Sequence, residues 1–372
     1  MLGPADLLRQ AHGKKKGDHE SEFHHPKTGE IVSKVTRADF INKSLVGRGF
    51  FGNVYKASYD GLNVAIKEVH GLDINKGPCG SIQMQAFERE MAFLRKTDEW
   101  KNENIVKFFG FLRFGREAWL ILKLMDYDLK KVIRKGSYQN SSLVLHKPYQ
   151  VLDNLGYLFL YQISNALKNI HEPDSQGKIM MHRDIKPTNI MVDRGRNQLA
   201  LIDFNSTKQI VCNQRGQNTE TPGAQKYQAP ECFPNPDLPE FDHLESPEYD
   251  HQCDIWSLGI TFVYFATGEH PIFPDNSEES SKSRDTTVEE RVTGREISGK
   301  DIPDPHHIGL PIHSFSPEFQ DFFKRFFNRR KPNERPSASE IFDWAEQGLK
   351  QLNGMQKDAL FDAFITAESS LT

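Results

Sequence analysis

Residues 181–193 of this chain are Met-His-Arg-Asp-Ile-Lys-Pro-Thr-Asn-Ile-Met-Val-Asp, and the rest of the sequence is organised around them. Asp184 offers a carboxylate that can accept a hydroxyl proton, and Lys186 offers a cation that can neutralise a phosphoryl group during transfer. Asn189 offers an amide oxygen of the kind that Mg²⁺ prefers. The apolar run 190–192 predicts a short buried strand that would hold these groups in place. A polar turn with chance residues is a poor alternative, because the pattern specifies many positions at once.

Length, net charge and cysteine spacing limit the number of domains and the classes of partner and site that the chain can have. At 372 residues the chain is long enough for one two-lobed domain or two ordinary ones. Its net charge of −4 and its pI near 6.4 predict neither nucleic acid nor an anionic membrane as the main partner. The four cysteines lack Cys-x-x-Cys spacing, which argues against a zinc site and a disulfide framework. They are Cys79, Cys212, Cys232 and Cys253.

The ends and the apolar runs predict an intracellular protein. Reduced thiols favour a cytoplasmic location, with the nucleus as an alternative. The longest apolar run, 255–266, is about a dozen residues and too short to span a bilayer, so no membrane insertion is expected. Residues 1–10 lack the order of a signal peptide. Residues 1–35 are polar and without apolar period, which predicts a disordered N-terminal arm.

From Phe40 onward, short alternating apolar segments predict antiparallel strands. Gly47, Gly49 and Gly52 lie between two of them, where glycine lets backbone amides approach phosphate oxygens and Val54 can cover a flat base. A dinucleotide-binding fold uses the same glycine spacing, but it requires a helix at Gly52, which this sequence does not predict.

The next strand carries Lys67, and a helix over 85–96 follows. Glu90 lies beside the apolar stripe of that helix and therefore needs a partner, for which Lys67 is the natural choice. Glu88 is the competing carboxylate. With two later strands, the pattern predicts a five-stranded sheet with one helix as the smaller lobe.

The remainder of the chain is mainly helical. Apolar spacing predicts a helix over 152–170, and a strand over 199–202 ends in Asp203, which would lie near Asn189 and share Mg²⁺ with it. Residues 203–231 show little apolar period, which predicts a long functional loop. Further helices are predicted over 255–266, 315–327 and 337–349, and the tail after 349 could add one short helix.

Taken together, these motifs resemble the eukaryotic protein kinase family in unbroken order over about residues 38–347. The resemblance implies an α+β, bilobal fold with an antiparallel-sheet N-lobe and a larger, mostly helical C-lobe. The kinase domain would span 36–348, with the N-lobe at 36–122, the hinge at 123–128, the C-lobe at 129–348 and a C-terminal tail at 349–372. Lys186, two residues after the base, is similar to serine/threonine kinases more than to tyrosine kinases.

The resemblance also implies roles for individual residues. Asp184 would be the base and Lys186 the γ-phosphate cation, with Asn189 and Asp203 binding Mg²⁺. Lys67 would hold the ATP phosphates through its pair with Glu90. Glu231 would pair with Arg335, and Asp254 would hold the backbone of 182–184. The expected nucleotide contacts are Val46, Gly47, Arg48, Gly49, Phe50, Phe51, Gly52, Asn53, Val54, Ala65, Lys67, Lys123 and Met125.

The hinge can be aligned in two ways. In one, Leu122 lies behind the adenine while backbone groups of Lys123 and Met125 contact the base edge. In the other, Met125 itself lies behind the adenine. A gapless match of 124–129 to mitogen-activated-type hinges favours the first.

Two residues depart from the family pattern. Asn205 stands where glycine usually follows Asp-Phe, and because asparagine tolerates left-handed backbone we expect altered switching instead of a dead site. Ala224 stands where threonine usually follows glycine, which removes a hydroxyl that would bridge the catalytic Asp and Lys.

The predicted partners are protein substrates, ATP and Mg²⁺. Arg183 and Lys208 would repel each other until a phosphate pairs with them, so phosphorylation at Thr219 or Thr221 is expected, by an upstream kinase or by trans-autophosphorylation. The alternative is that backbone carbonyls satisfy Arg183. A pseudokinase or scaffold is the opposing functional class, although it would be free to lose the catalytic set that is present here. A small-molecule kinase is disfavoured by the Ala-Pro-Glu segment at 229–231 and by Arg335.

Overall fold

The computed structural model describes residues 21–49, 52–69, 82–115, 117–135, 149–211, 216–217, 225–233, 248–268, 270–272, 315–328 and 331–365. The chain forms two compact units, one of residues 1–95 and 107–124 and the other of residues 96–106 and 125–372. The last passage between them, from Leu124 to Met125, falls within the predicted hinge. Among the described helices, none combines the length and apolar character needed to cross a bilayer.

The first unit contains an antiparallel sheet of six strands in the order β1-β5-β6-β4-β3-β2. The strands are β1 (Ser21–Phe23), β2 (Phe40–Gly49), β3 (Gly52–Tyr59), β4 (Leu62–Val69), β5 (Phe108–Phe114) and β6 (Glu117–Lys123). Asp60 and Gly61 connect β3 to β4 with φ values of 46° and 75°. A two-residue Asp-Gly turn with positive φ matches the twist of the flanking strands and sets their register.

The N-terminal strand corrects two predictions. The disordered arm is wrong for residues 21–35, and the sheet has six strands instead of five. Phe23 is 0 % exposed, with its ring centroid 4.7 Å from that of Tyr59. A three-residue strand with one inward apolar side chain has no detectable period, which is why the pattern missed it. Gly110 permits the pairing, since a Cβ there would lie 2.0 Å from the Glu22 carbonyl oxygen.

Helix α1 (Ile82–Trp100) follows the predicted apolar stripe. Phe87, Met91 and Leu94 are all buried, as their spacing predicted. Glu90 is also buried, at 2 % exposure, which places a carboxylate on the same side of the helix as these apolar residues.

The second unit is mostly helical, as predicted. Among the described residues, its α-helices are α2 (Leu129–Lys135), α3 (Tyr149–His171), α4 (Gln252–Thr267), α5 (Pro317–Lys324), α6 (Ala338–Leu349) and α7 (Gly354–Ile365). Its short strands are β7 (Tyr127–Asp128), β8 (Lys178–Met181), β9 (Ile190–Asp193), β10 (Gln198–Leu201), β11 (Lys208–Val211), β12 (Gly216–Gln217) and β13 (Glu248–Tyr249). They form a sheet β10-β9-β7 and the pairs β11-β8 and β12-β13.

The core of this unit surrounds α4, the helix of the most apolar stretch in the sequence. Phe262 of α4 has ring contacts at 4.9 Å with Phe323 and at 5.5 Å with Phe159. The starts of α5 and α6 are set by Ser316 and Ser337, whose hydroxyl oxygens accept hydrogen bonds from backbone amides three residues later. The short helix expected in the tail is present as α7, and Phe361 anchors it at 1 % exposure.

Candidate active site

The loop at 182–189 is held at both ends and in its middle. It connects β8 to β9, and β9 is fixed between β10 and β7. Asp254, 0 % exposed, accepts hydrogen bonds from the backbone N–H groups of His182 and Arg183, both at 2.8 Å. These two bonds satisfy a stretch of backbone in which Arg183 has a φ of 65°. The predicted contact between Asp254 and this loop is therefore present.

The carboxylate of Asp254 is charged in spite of its burial. Burial raises its pKa, but the hydrogen bond and charge of His171, together with those from His182, outweigh that effect and leave the pKa below its usual range. His171 Nε2 lies 2.9 Å from Asp254 Oδ2. Sequence reasoning missed His171, which lies directly after the helix predicted over 152–170 and in the last turn of the observed α3.

The side chains of Asp184, Lys186 and Asn189 lie together, as the sequence predicts. Lys186 Nζ donates to both carboxylate oxygens of Asp184, at 2.9 and 2.7 Å. Asn189 Nδ2 donates to Asp184 Oδ2 and to the Asp184 carbonyl, both at 2.8 Å. Asp184 is thus a buried carboxylate with one ammonium and one amide around it, at 8 % exposure. This geometry presents a preorganised proton acceptor next to a cation.

The predicted metal ligands are brought together by their strands. The Ile202 N–H donates to the Asn189 carbonyl at 3.0 Å, which ties the residue before Asp203 to Asn189. Because the amide nitrogen of Asn189 is engaged by Asp184, its amide oxygen is oriented away from that carboxylate. Asp203 has a φ of 65°. Two oxygen ligands on rigid elements fit a hard cation such as Mg²⁺.

The described residues do not form a metal site built from protein side chains alone. Within the described part of the chain, no group of three or more His, Cys, Asp or Glu side chains is placed to hold a metal. Mg²⁺ sites in phosphoryl transfer commonly use one or two protein oxygens and complete their coordination with water and substrate phosphates. The residues present therefore fit Mg²⁺ that arrives with a nucleotide.

The predicted ion pair of the first unit is formed by Lys67 and Glu90. Lys67 Nζ donates to the two carboxylate oxygens of Glu90 at 2.8 and 2.6 Å. The competing carboxylate, Glu88, instead pairs with Arg113. Both Lys67 and Glu90 side chains are nearly buried, at 12 % and 3 % exposure. The pair is consequently little screened by solvent, and it holds the ammonium on β4 in one position.

The glycine-rich stretch is a β-hairpin, as predicted. Gly47 lies opposite Val54, Arg48 opposite Asn53, and Gly49 opposite Gly52. Gly52 has a φ of 154°, and a Cβ there would lie 2.0 Å from the Glu68 carbonyl oxygen. Close approach to β4 thus requires glycine at this position irrespective of any ligand. The expected nucleotide contacts Phe50 and Phe51 lie outside the described residues.

The segment predicted to contact the adenine continues from β6. Ala65 lies opposite Leu122 in the register of β4 and β6. The Lys123 N–H donates to the Lys107 carbonyl at 2.9 Å, and Met125 is 9 % exposed. The nucleotide contacts of Val46, Ala65, Lys123 and Met125, like the choice of Leu122 over Met125 behind the base, stay predictions.

Comparison with known proteins decides the family. A sequence model of the protein kinase domain matches residues 40–345. The chain belongs to the protein kinase family. It is 31 % identical over 262 residues to the MAP kinase kinase mkk-4 of Caenorhabditis elegans, which covers 67 % of this chain and 60 % of that protein.

For two further relatives, the match covers a smaller share of the relative's own length. The chain is 32 % identical over 248 residues to mitogen-activated protein kinase kinase kinase 1 of Arabidopsis thaliana, covering 66 % of this chain and 34 % of that protein. It is 27 % identical over 315 residues to the protein kinase wis1 of Schizosaccharomyces pombe, covering 83 % of this chain and 43 % of that protein. The matched stretch is thus less than two thirds of each relative's length.

The segment around Glu231 is tied to the helical core through a buried ion pair. Arg335 donates to both carboxylate oxygens of Glu231, at 2.6 and 2.9 Å, as the resemblance predicted. It also donates to the carbonyls of Gln252 and Asn328, at 2.9 and 3.1 Å. A guanidinium that donates to one carboxylate and two backbone carbonyls holds these three segments together.

The cation next to Asp184, Arg183, has partners among the described residues. Arg183 Nε donates to the Ser206 carbonyl at 2.7 Å, and its guanidinium hydrogen-bonds to the hydroxyl of Tyr249. The contact with the Ser206 carbonyl agrees with the alternative in which backbone carbonyls satisfy Arg183, whereas nothing in the sequence indicated the contact with Tyr249. Burial, followed by the positive charge of Arg183, lowers the pKa of Lys208, so the expected repulsion between these two cations is present.

The structure changes the explanation for Asn205. Asn205 is not among the non-glycine residues with positive φ, and the left-handed residue of this turn is Asp203. Asn205 therefore does not use the left-handed backbone that asparagine tolerates, and the expected altered switching stays a prediction. Its side chain has a different task, since Asn205 Nδ2 donates to Asp203 Oδ1 at 2.6 Å. Ala224, Thr219 and Thr221 lie outside the described residues.

Proposed function

We propose that this kinase transfers the γ-phosphate of ATP to serine or threonine hydroxyls of protein substrates in intracellular signalling. The observation that carries the proposal is the group formed by Asp184, Lys186 and Asn189, in which a buried carboxylate contacts one ammonium and one amide. Positioning and charge neutralisation supply most of the catalysis in phosphoryl transfer. A polar site that is this rigid supports that chemistry.

Each side chain has a defined task in the proposed reaction. Asp184 accepts the proton of the substrate hydroxyl as that oxygen attacks the γ-phosphorus. Lys186 neutralises charge on the transferring group, and Lys67, held by Glu90, binds the α- and β-phosphates. Bound Mg²⁺ supplies charge neutralisation of the phosphate oxygens, and Asn189 and Asp203 would hold it.

The substrate class rests on sequence context. Lys186 at two residues after the base supports serine or threonine over tyrosine. The Glu231–Arg335 pair supports a protein acceptor over a small molecule, because it braces the segment that would hold a peptide. The names of the relatives support a place in a signalling cascade in which kinases act on kinases.

The decisive experiment compares two isosteric variants with wild-type protein. Asp184→Asn should abolish transfer of labelled phosphate from ATP·Mg²⁺ to a generic basic protein while nucleotide affinity stays nearly unchanged, because the base acts on the acceptor. Asp203→Asn should instead weaken Mg·ATP binding. Phosphoamino-acid analysis should give phosphoserine or phosphothreonine. Wild-type protein that binds nucleotide but transfers no phosphate would support the scaffold alternative, and wild-type turnover in Asp184→Asn would refute the mechanism.

We also propose control by phosphorylation at Thr219 or Thr221, through an upstream kinase or trans-autophosphorylation. The support is the pair of cations Arg183 and Lys208, since the pKa of Lys208 is lowered by burial first and then by the positive charge of Arg183. A phosphate near them would provide charge-assisted hydrogen bonds and relieve that repulsion. It would have to compete with Tyr249 and the Ser206 carbonyl for Arg183.

Mass spectrometry of active protein tests this control. Phosphate should be found on Thr219 or Thr221, and replacing both by alanine should lower activity. Full activity of the unphosphorylated double variant would show that Tyr249 and Ser206 satisfy Arg183 without phosphate. The proposed location is the cytoplasm, with the nucleus as the alternative, which the free thiols of Cys232 and Cys253 support and which imaging of a fluorescent fusion would test.

A further inference from the structure

The side chain of Asn205 is fixed by two hydrogen bonds to its neighbours. Its amide nitrogen donates to Asp203 Oδ1 at 2.6 Å, and its amide oxygen accepts from Ser206 Oγ at 3.0 Å. Asn205 is 4 % exposed, so little water competes for these bonds. The hydroxyl of Ser206 thus orients the amide, and the amide contacts one oxygen of the carboxylate.

The backbone on either side of Asp203 is held independently of this contact. Before it, the Ile202 N–H donates to the Asn189 carbonyl. After it, Phe204 is 0 % exposed with its ring 5.0 Å from that of His182, and Thr207 Oγ1 donates to the Phe204 carbonyl at 2.8 Å. The freedom that Asn205 restrains is therefore the rotation of the Asp203 side chain.

This restraint matters for cation binding. A hydrogen bond to an ionised acceptor is about twice as strong as one between neutral groups. A carboxylate that is already oriented loses less conformational freedom when a ligand binds, and that saving appears as affinity. A glycine at position 205 would offer no side-chain donor for this purpose.

We propose that Asn205 is a positioning residue that orients the Asp203 carboxylate for a divalent cation, an inference that rests on the magnesium site of the proposed function. The asparagine does not touch nucleotide or substrate. It acts through Asp203, and its contribution belongs to the metal-dependent part of nucleotide affinity.

The experiment measures the dissociation constant of a non-hydrolysable ATP analogue by calorimetry, with Mg²⁺ and with chelator, on the full chain. The ratio of the two constants reports the coupling between metal and nucleotide without any turnover. Asn205→Leu keeps a similar branched shape and removes the donor. It should reduce the Mg²⁺-dependent gain in affinity by up to about tenfold while the affinity in chelator stays unchanged, on the scale of the cost of ordering one side chain. Asn205→Gly should give a similar loss, and it serves if the leucine variant does not fold.

The matched control is Thr207→Val, which removes another buried hydrogen bond from the same turn. It should lower the melting temperature and leave the ratio of dissociation constants at the wild-type value, since Thr207 contacts the Phe204 carbonyl and not Asp203. The inference is overturned if Asn205→Leu and Asn205→Gly both keep the wild-type ratio, or if Thr207→Val reduces it equally. Wild-type protein whose nucleotide affinity does not respond to Mg²⁺ would overturn the proposed magnesium site itself, and this inference with it.

Discussion

Replacing Glu231 by glutamine should destabilise the helical unit strongly, although the two side chains have almost the same shape. Glu231 accepts two hydrogen bonds from Arg335, whose side chain is 0 % exposed while that of Glu231 is 14 % exposed. The substitution keeps an acceptor for one of these bonds and removes the negative charge. It leaves the guanidinium buried without its counter-ion, which is the costly event in breaking such a pair.

The magnitude follows from that burial. Removing one partner of a buried ion pair costs about 3–5 kcal/mol, and we expect the lower end, about 3 kcal/mol, because Arg335 keeps the carbonyls of Gln252 and Asn328. In a unit of this size that corresponds to a fall in melting temperature of roughly 6–12 °C. Such a loss is a large fraction of the stability of an ordinary domain.

The matched control is Glu340→Gln. Glu340 pairs with Arg325 at 2.7 Å, but both side chains are about half exposed, at 45 % and 43 %. That pair is screened by water, so its loss should cost less than about 1 kcal/mol, including the weaker charge at the start of α6. Urea denaturation monitored by circular dichroism would measure both variants. Equal shifts of the midpoint in the two would refute the argument from burial.

Three further outcomes test other parts of the molecule. Phe23→Ala should cost about 3–5 kcal/mol in the first unit, because it removes a fully buried ring, whereas Ile31→Ala, at a residue 74 % exposed, should be nearly neutral; a thermal shift series would show whether the N-terminal strand belongs to the core. Lys67→Met should lower the rate of phosphate transfer on the order of a thousandfold in a steady-state assay, and a near-normal rate would contradict the role of the Lys67–Glu90 pair. Burial lowers the pKa of His270 to about 3, so the unfolded chain takes up a proton there below pH 6.5 and stability falls as the pH drops toward 3. Between pH 6.5 and 5 the wild-type protein should lose roughly 1.5 kcal/mol of stability through His270, and the variant His270→Phe should not show this loss. A pH profile of the urea midpoint that is the same in both proteins would show that His270 is not the group responsible.

Much of the local structure could be predicted because it depends on neighbours in the sequence. The stripe of Phe87, Met91 and Leu94 is enough to define α1, and the apolar run at 255–266 is enough to define a buried helix. The glycine hairpin at 47–52 and the polar loop at 182–189 carry their own turn chemistry. For these elements the period and the turn residues state which side is buried, without knowledge of the partner.

The resemblance extended this prediction to pairs that are distant in sequence. The contact of Glu231 with Arg335 spans 104 residues, and no period or spacing in the chain indicates it. The same holds for the bonds that the backbone N–H groups of His182 and Arg183 donate to Asp254. Motif order supplied both, because a family that keeps the loop keeps the groups that hold it.

Contacts that are particular to this chain depend on the packing of segments distant in sequence. Phe23 is one apolar residue in a polar stretch, and its burial depends on the pairing of β1 with β5, where Gly110 has no Cβ to collide with the Glu22 carbonyl. Asn205 departs from the family, and whether its amide meets solvent or the Asp203 carboxylate depends on the rotamer and on Ser206. Arg183 likewise finds Tyr249 through the pairing of β12 with β13. A sequence pattern specifies which face of an element is buried, whereas the partner of a single polar group is chosen by the packing of segments that the pattern does not connect.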